Sequence, residues 1–200
     1  MPLLAGALLG WSLAAPPGPG NALIAQDAAR RGWLAGVATG SGAIAADIVM
    51  FLLMWLGVLR LLEIFPWLII LLGIVGALLM LRYGRDAWRA ARAPAIVDPT
   101  ARGGFLKTFL AIVTSPFNHV WWLSSGTVVF ANLGAGLVIG FFGSLVLWVA
   151  FWSGLATAGA ARVERFSEWV GYASAVVLVA FAVVIAVFTV QEAIALAAAL

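Results

Sequence analysis

The residue of this chain best suited to chemistry is Asp47, a carboxylic acid in the middle of a long apolar segment. Gly36, Gly40 and Ala43 precede it by eleven, seven and four residues, so all four share one face of a helix. Small residues let membrane helices approach closely, and this face should therefore point into the packed interior. An ionisable residue inside a membrane is costly and by default indicates an ion or substrate path. We predict that Asp47 binds substrate and protons; the alternative is a neutral Asp47 in a structural hydrogen bond.

Two proline breaks interrupt apolar segments in matching halves of the chain. The first is Pro16-Pro17-Gly18-Pro19-Gly20-Asn21 and the second is Ser115-Pro116-Phe117-Asn118. Proline removes a backbone N–H and clashes with the carbonyl four residues earlier, and a backbone freed in this way survives in a membrane only inside protein or beside a cavity. Paired interruptions point to a transporter's binding site near the membrane midplane. The predicted substrate- or proton-binding residues are Asp47, Gly18, Pro19, Gly20, Asn21, Pro116, Asn118 and His119.

The polar groups at the breaks also have structural interpretations. Asn21 and Asn118 offer donors and acceptors to a substrate, but each could instead cap a helix. His119, the only histidine, could relay protons or make a local hydrogen bond. Trp121 and Trp122 follow the second break, where they are membrane-interface anchors or, for one of them, part of the site. Carbonyl groups freed by the prolines could bind a substrate ammonium group, and these belong to Ser12, Leu13, Ala15 and Ile112.

The composition defines an integral membrane protein. The 200 residues are 64% hydrophobic and 10% charged, with a mean hydropathy of +1.11, whereas soluble domains carry about 25% charged residues. Cysteine is absent, which excludes disulfides and thiol chemistry. The net charge of +3 does not indicate a nucleic-acid partner, because the basic residues fall at the ends of apolar segments, as membrane orientation requires. We predict one membrane domain over residues 1–200, with no cofactor and no bound metal.

Six segments are long enough to cross a bilayer, which takes about 20 apolar residues. The connections after the first, third and fifth segments, together with Arg82 and Lys107 at the adjoining span ends, hold ten of the eleven Lys and Arg residues. The positive-inside rule then places these connections in the cytoplasm and both termini outside the cell membrane. The predicted fold class is all-α with six transmembrane helices, of which the first and fourth are broken at proline. The predicted spans are Leu3–Ile24, Trp33–Leu59, Trp67–Tyr83, Phe105–Ser125, Leu133–Ala156 and Trp169–Val190.

The two halves of the chain resemble each other. The small residues of the second span recur 100 residues later, and Pro19 and Asn21 recur 97 residues later as Pro116 and Asn118. Because each half has an odd number of spans, the second copy must be inverted in the membrane. We predict a first repeat over residues 1–92, a cytoplasmic linker over 93–103 and a second repeat over 104–200; the alternative is chance similarity. The glycines predicted to pack helices closely are Gly36, Gly40, Gly136 and Gly140.

These residues resemble the lysine-exporter family, the LysE/RhtB-type amino-acid exporters, over nearly the whole chain. The most specific similarity is Pro17-Gly18-Pro19 followed by Gly32, Gly36 and Gly57, and the second half is similar at Gly104-Phe105 and Ser115-Pro116. Gly20 and Phe117 depart from the family, which commonly has Asn or Asp at the first position and Lys at the second. The resemblance implies a secondary transporter of the plasma or inner membrane that exports amino acids or similar small solutes. It further implies coupling to protons and, often, a homodimer.

Two other functions stay open. One is a divalent metal-ion exporter of the same superfamily, although one carboxylate, one histidine and no thiol are a poor ligand set for a transition metal. The other is an intramembrane hydrolase, which would need a nucleophilic serine beside His119, and no spacing indicates such a pair. We therefore expect a protein that is not an enzyme and whose partners are a small solute, protons and membrane lipid.

Overall fold

The computed structural model describes residues 2–16, 18–57, 61–65, 67–92, 103–123 and 134–199, and its regular structure in these ranges is helical. Four helices are long and apolar enough to cross a membrane, namely α3, α5, α8 and α9, while α1 and α6 are shorter apolar helices. The helices run α1 Pro2–Ala14, α2 Pro19–Arg31, α3 Trp33–Trp55, α4 Leu61–Ile64, α5 Trp67–Arg92, α6 Gly103–Val113, α7 Pro116–Trp121, α8 Ala135–Arg162 and α9 Phe166–Ala199.

Several helix ends differ from the predicted spans. α5 continues to Arg92 rather than Tyr83, and α8 continues to Arg162 rather than Ala156, because Ala and Arg are strong helix formers beyond the apolar core that hydropathy detects. α3 ends at Trp55 rather than Leu59, since Gly57 takes a φ of +71°, the left-handed conformation that commonly closes a helix. The predicted ends at Leu59, Ser125 and Leu133 lie outside the described residues.

Proline is the first residue of three of the shorter helices, α1, α2 and α7, and the last two of these begin soon after another helix ends. α1 ends at Ala14 and α2 begins at Pro19, while α6 ends at Val113 and α7 begins at Pro116. Proline suits the first turn of a helix because the N–H that it lacks has no intrahelical partner there. A single residue, Gly32, joins α2 to α3, and its φ of +91° gives the left-handed turn that glycine tolerates.

The helices pack around α2. It contacts α3, α6, α8 and α9, while α1 lies along α8, α6 lies along α3, and α5 lies along α9. One core cluster is centred on Met50, Trp122, Phe141 and Leu145. The short helix α7 contacts α5 and α6, and its last residue, Trp121, packs against this cluster.

Glycines line the closest helix contacts. Gly36 and Gly40 of α3 lie against Ser153 and Val149 of α8. Gly140 of α8 lies against the backbone of Leu3 in α1, and a Cβ atom there would collide with that backbone. Gly136 lies beside Pro2 at the same contact, with more space. The four glycines selected from the sequence thus all face a neighbouring helix.

The α1–α8 contact can be tested with a matched pair of substitutions in one helix. Gly140→Ala should lower the free energy of unfolding by about 1–3 kcal/mol, because backbone atoms cannot move aside for the added methyl group. Gly143→Ala is the control, since a Cβ atom at Gly143 meets nothing within 4 Å and Ala favours a helix over Gly. Thermal unfolding in detergent should show a lower Tm for Gly140→Ala alone. Equal Tm values for both variants would contradict this account of the packing.

Candidate functional site

A cavity of about 160 Å³ lies where the end of α1 and the start of α2 meet α3, α6, α8 and α9. At roughly 30 Å³ per molecule of water, it has room for about five waters or one small solute. Most of its wall is apolar, including Ile44, Leu145 and Phe181. Six of the eight predicted binding residues line it, namely Gly18, Pro19, Gly20, Asn21, Asp47 and Asn118.

The other two predicted residues are His119 and Pro116. His119 is buried, and its Nδ1 atom lies 2.7 Å from the carbonyl oxygen of Ser115, one helical turn earlier. It is not among the described residues that line the cavity. Pro116 begins α7, but its side chain lies outside the described atoms. The structure therefore gives His119 a local hydrogen bond and no contact with the cavity.

Asp47 is held against an aromatic wall. Its side chain is 7% exposed, and the Nε1 atom of Trp122 donates a hydrogen bond to its Oδ1 atom over 3.3 Å. Trp122 is completely buried and contacts Phe141 and Trp121, with ring centroids 5.7 and 5.2 Å away. Within the described ranges, no Lys or Arg forms an ion pair with Asp47. The Asp47 carboxyl group is thus fixed on one side and faces the cavity on the other.

Asn118 places a second polar group beside Asp47. Its carboxamide lies next to the Asp47 carboxyl group, and its side chain is 7% exposed. The Nδ2 atom is buried and has no hydrogen-bond partner within the described part of the chain. A buried donor without a partner costs about 1–3 kcal/mol. A polar solute in the cavity would remove this cost.

The side chain of Asn21 is hydrogen-bonded to the backbone between α1 and α2. Its Nδ2 atom donates to the carbonyl oxygens of Ala14, over 2.7 Å, and Pro16, over 2.9 Å. Its Oδ1 atom accepts from Nε1 of Trp148, and its backbone oxygen accepts from Nε1 of Trp152, both over 3.0 Å. Both halves of the carboxamide are therefore engaged. In this arrangement Asn21 closes the gap between α1 and α2.

The first turn of α2 brings to the cavity backbone amides that have no hydrogen-bond partner among the described residues. The first backbone hydrogen bond of the helix joins the amide of Ala22 to the carbonyl of Gly18, and no side chain caps this end. The amides of Gly20 and Asn21 precede that bond, and both residues line the cavity. The amino end of a helix carries a partial positive charge and binds anions. The cavity thus combines a carboxylate on α3 with an electropositive end of α2.

The structure also identifies polar contacts that the sequence did not indicate. Asp27 accepts a hydrogen bond from Oγ1 of Thr39 over 2.5 Å and pairs with Arg31 over 2.6 Å. Trp148 has no sequence signal for its contact with Asn21, because 127 residues separate them. The carbonyl of Ile112, predicted to be free, accepts from the amide of Ser115 over 3.2 Å.

A cavity at a helix break, inside an all-helical bundle with four long apolar helices, is typical of a membrane transporter. The chain belongs to the LysE type translocator family, which it matches over residues 11–193. This match confirms the resemblance noted in the sequence and identifies a membrane translocator of small solutes rather than an enzyme. Comparisons with curated proteins and with solved structures gave no match.

The hydrogen bonds of Asn21 predict a stability effect. Asn21→Asp keeps the size of the side chain but removes the donor to Ala14 and Pro16, leaving two carbonyl groups unpaired at a cost of about 1–3 kcal/mol each. We expect a clearly lower Tm in detergent. Ser41→Ala is the control, because the Ser41 hydroxyl is exposed and bonds only within its own helix, to the carbonyl of Ala38. A Tm for Asn21→Asp equal to that of the parent would show that these bonds do not stabilise the break.

Proposed function

We propose that this protein is a secondary transporter that exports amino acids or similar small zwitterions in exchange for protons. The observation that carries the proposal is the cavity in which Asp47 and the amino end of α2 offer opposite charge to one solute. An ammonium group suits the Asp47 carboxylate, and a carboxylate suits the amides of Gly20 and Asn21. The carboxamide of Asn118, which lies beside Asp47, supplies one more polar contact for the same solute.

Proton coupling rests on the single acid in this cavity. Asp47 is the one acidic residue among the described residues of its wall. One carboxylate cannot bind a proton and a cationic group at full strength at the same time, so the two ligands compete. Competition of this kind makes the carboxylate an exchanger, because each ligand must leave before the other binds. Ionisable residues in transporters commonly have this role.

The packing of the helices supports the proposed topology of six spans in two inverted repeats. α1 with α2, and α6 with α7, would each form one interrupted span, and the four long helices would supply the others. Under the repeat, the pair of α1 and α8 corresponds to the pair of α6 and α3, and both pairs are in contact. α5 corresponds to α9, and these two helices also pack together.

The distribution of charge supports the proposed orientation. Arg30, Arg92, Arg162 and Arg165 surround one surface cavity, and Arg30 also lines a second cavity with Lys107. Basic residues from several connections therefore gather at one end of the bundle. The positive-inside rule assigns this end to the cytoplasm and leaves both termini outside the plasma or inner membrane. Dimer formation stays a prediction from the family resemblance.

The role of Asp47 can be measured by transport in proteoliposomes under an imposed pH gradient. Asp47→Asn should abolish transport driven by the gradient, because the amide binds neither a proton nor an ammonium group. Trp122→Phe, which keeps the ring and removes the donor to Asp47, should reduce transport but retain its dependence on the gradient. Glu164→Gln neutralises an exposed carboxylate and should transport like the parent. Gradient-driven transport by Asp47→Asn at the parental rate would refute the assignment.

A thermal-shift screen distinguishes the possible solutes. Specific binding stabilises the folded protein once the ligand exceeds its Kd, by about 2.7 kcal/mol at one hundred times Kd. We expect small amino acids to raise the Tm of the parent and not of Asp47→Asn, and divalent metal ions to leave both unchanged. A shift with Mn²⁺ or Zn²⁺ and none with amino acids would favour the metal exporter instead.

A further inference from the structure

A second cavity lies at the end of the bundle where basic residues gather, between α2, α5 and α6. Its volume of about 150 Å³ is close to that of the central cavity, at about 160 Å³. Gln26 and Asp27 of α2, Tyr83 and Asp86 of α5, and Lys107 of α6 contribute to its wall. We call it the vestibule. It differs from the central cavity in being lined mainly by polar and charged side chains.

Two opposite charges in the vestibule are available to a ligand. Asp86 and Lys107 face it from different helices, and neither forms an ion pair within the described ranges. The other charged groups are engaged, because Asp27 is bonded to Arg31 and Thr39 and Arg30 donates to the carbonyl of Ala90. An ammonium group would bind at Asp86 and a carboxylate at Lys107. A small zwitterion presents both groups at once.

Two helices connect the vestibule to the central cavity. On α2, the consecutive residues Leu23 and Ile24 line the vestibule and the central cavity respectively. On α6, Lys107 lines the first and Ile112 the second, a separation of about 7.5 Å at 1.5 Å per residue.

The segment of α6 between Lys107 and Ile112 contains a buried polar group without a partner in the described part of the chain. Thr108 follows Lys107 on α6 and is completely buried, and its hydroxyl group has no hydrogen-bond partner within the described part of the chain. Buried hydroxyl groups are normally bonded to protein or to water. Thr108 lines neither cavity, but an unpaired hydroxyl group on the helix that joins them is suited to a solute or water that passes from one to the other.

We infer that the vestibule is a loading site that binds the transported zwitterion before it reaches Asp47. The inference rests on the proposed function for the identity of the solute, but it assigns a separate site with its own residues. Asp86 supplies the anionic wall, Lys107 supplies the cationic wall, and Thr108 marks the route inward. The structure thus provides two successive sites for one solute along α2.

Equilibrium binding in detergent can separate the two sites. The probe is L-alanine, and ethylamine and propionate serve as probes that carry only one of its two charges. We expect the parent to bind two equivalents of L-alanine, Asp47→Asn to retain one, and Asp86→Asn combined with Lys107→Gln to retain the other. Ethylamine and propionate should each bind the vestibule more weakly, by about tenfold or more, because each loses one charge-assisted contact.

Each other outcome has a definite meaning. One equivalent in the parent that Asp47→Asn removes would overturn the loading site and leave the proposed function standing. The parent could instead bind one equivalent of L-alanine that Asp47→Asn retains and the double variant loses. This result would support the vestibule and contradict the central site. No binding of L-alanine by any form would overturn both. Arg85→Gln is the control, because Arg85 adjoins Asp86 in the sequence but does not line the vestibule.

Transport kinetics give a second measurement. The Asp86→Asn and Lys107→Gln variants should raise KM about tenfold with kcat nearly unchanged, since they weaken loading rather than exchange. Thr108→Val keeps the shape of the side chain and removes an unpaired hydroxyl, so it should slow transport without lowering the Tm. Parental transport by Thr108→Val would exclude the route along α6.

Discussion

The structure depends on satisfying backbone polar groups where α1 stops and α2 starts. In an apolar interior a free carbonyl or amide has no water to bond, so a gap between two helices needs specific partners. Asn21 supplies them for the carbonyls of Ala14 and Pro16, and Trp148 and Trp152 hold Asn21 from α8. The amides at the start of α2 have no such partner among the hydrogen bonds described above. At this gap the carbonyl groups therefore have hydrogen-bond partners, whereas the amides at the start of α2 have none among the described residues.

This imbalance is the main support for the proposed zwitterionic solute. The open amides make one wall electropositive, and Asp47 makes the opposite wall acidic, while the indole of Trp122 keeps the carboxyl group in position. The rest of the wall is largely apolar, which strengthens both electrostatic contacts by excluding water. The aromatic cluster around Trp122 and Phe141 would thus affect binding indirectly, because it positions the Asp47 carboxyl group.

The sequence was sufficient for local features and insufficient for contacts between distant segments. Asp47, Gly18 and Pro19 were predictable at the cavity because a buried acid and a helix break are properties of a few consecutive residues. Asn21 was predicted as a binding residue or a cap, and only the positions of Trp148 and Ala14 show how its side chain is bonded. No contact of Asp27 was predicted from the sequence, and folding brings Thr39 and Arg31 onto it. Helix ends were predicted within a few residues where glycine or proline marks them and less well at α5 and α8, where Ala and Arg continue the helix.

The one-residue connection at Gly32 has a mechanical consequence. Because a single residue joins α2 to α3, and Asp27 is hydrogen-bonded across the junction to Thr39, these two helices should behave as one rigid unit. The electropositive wall of the central cavity belongs to α2 and its acidic wall to α3, so the two walls should move together. A solute exchanged as proposed would then enter and leave by movement of α6, α7 or α8 relative to this pair of helices. The proposed solute would keep its contacts with α2 and α3 while the other helices move.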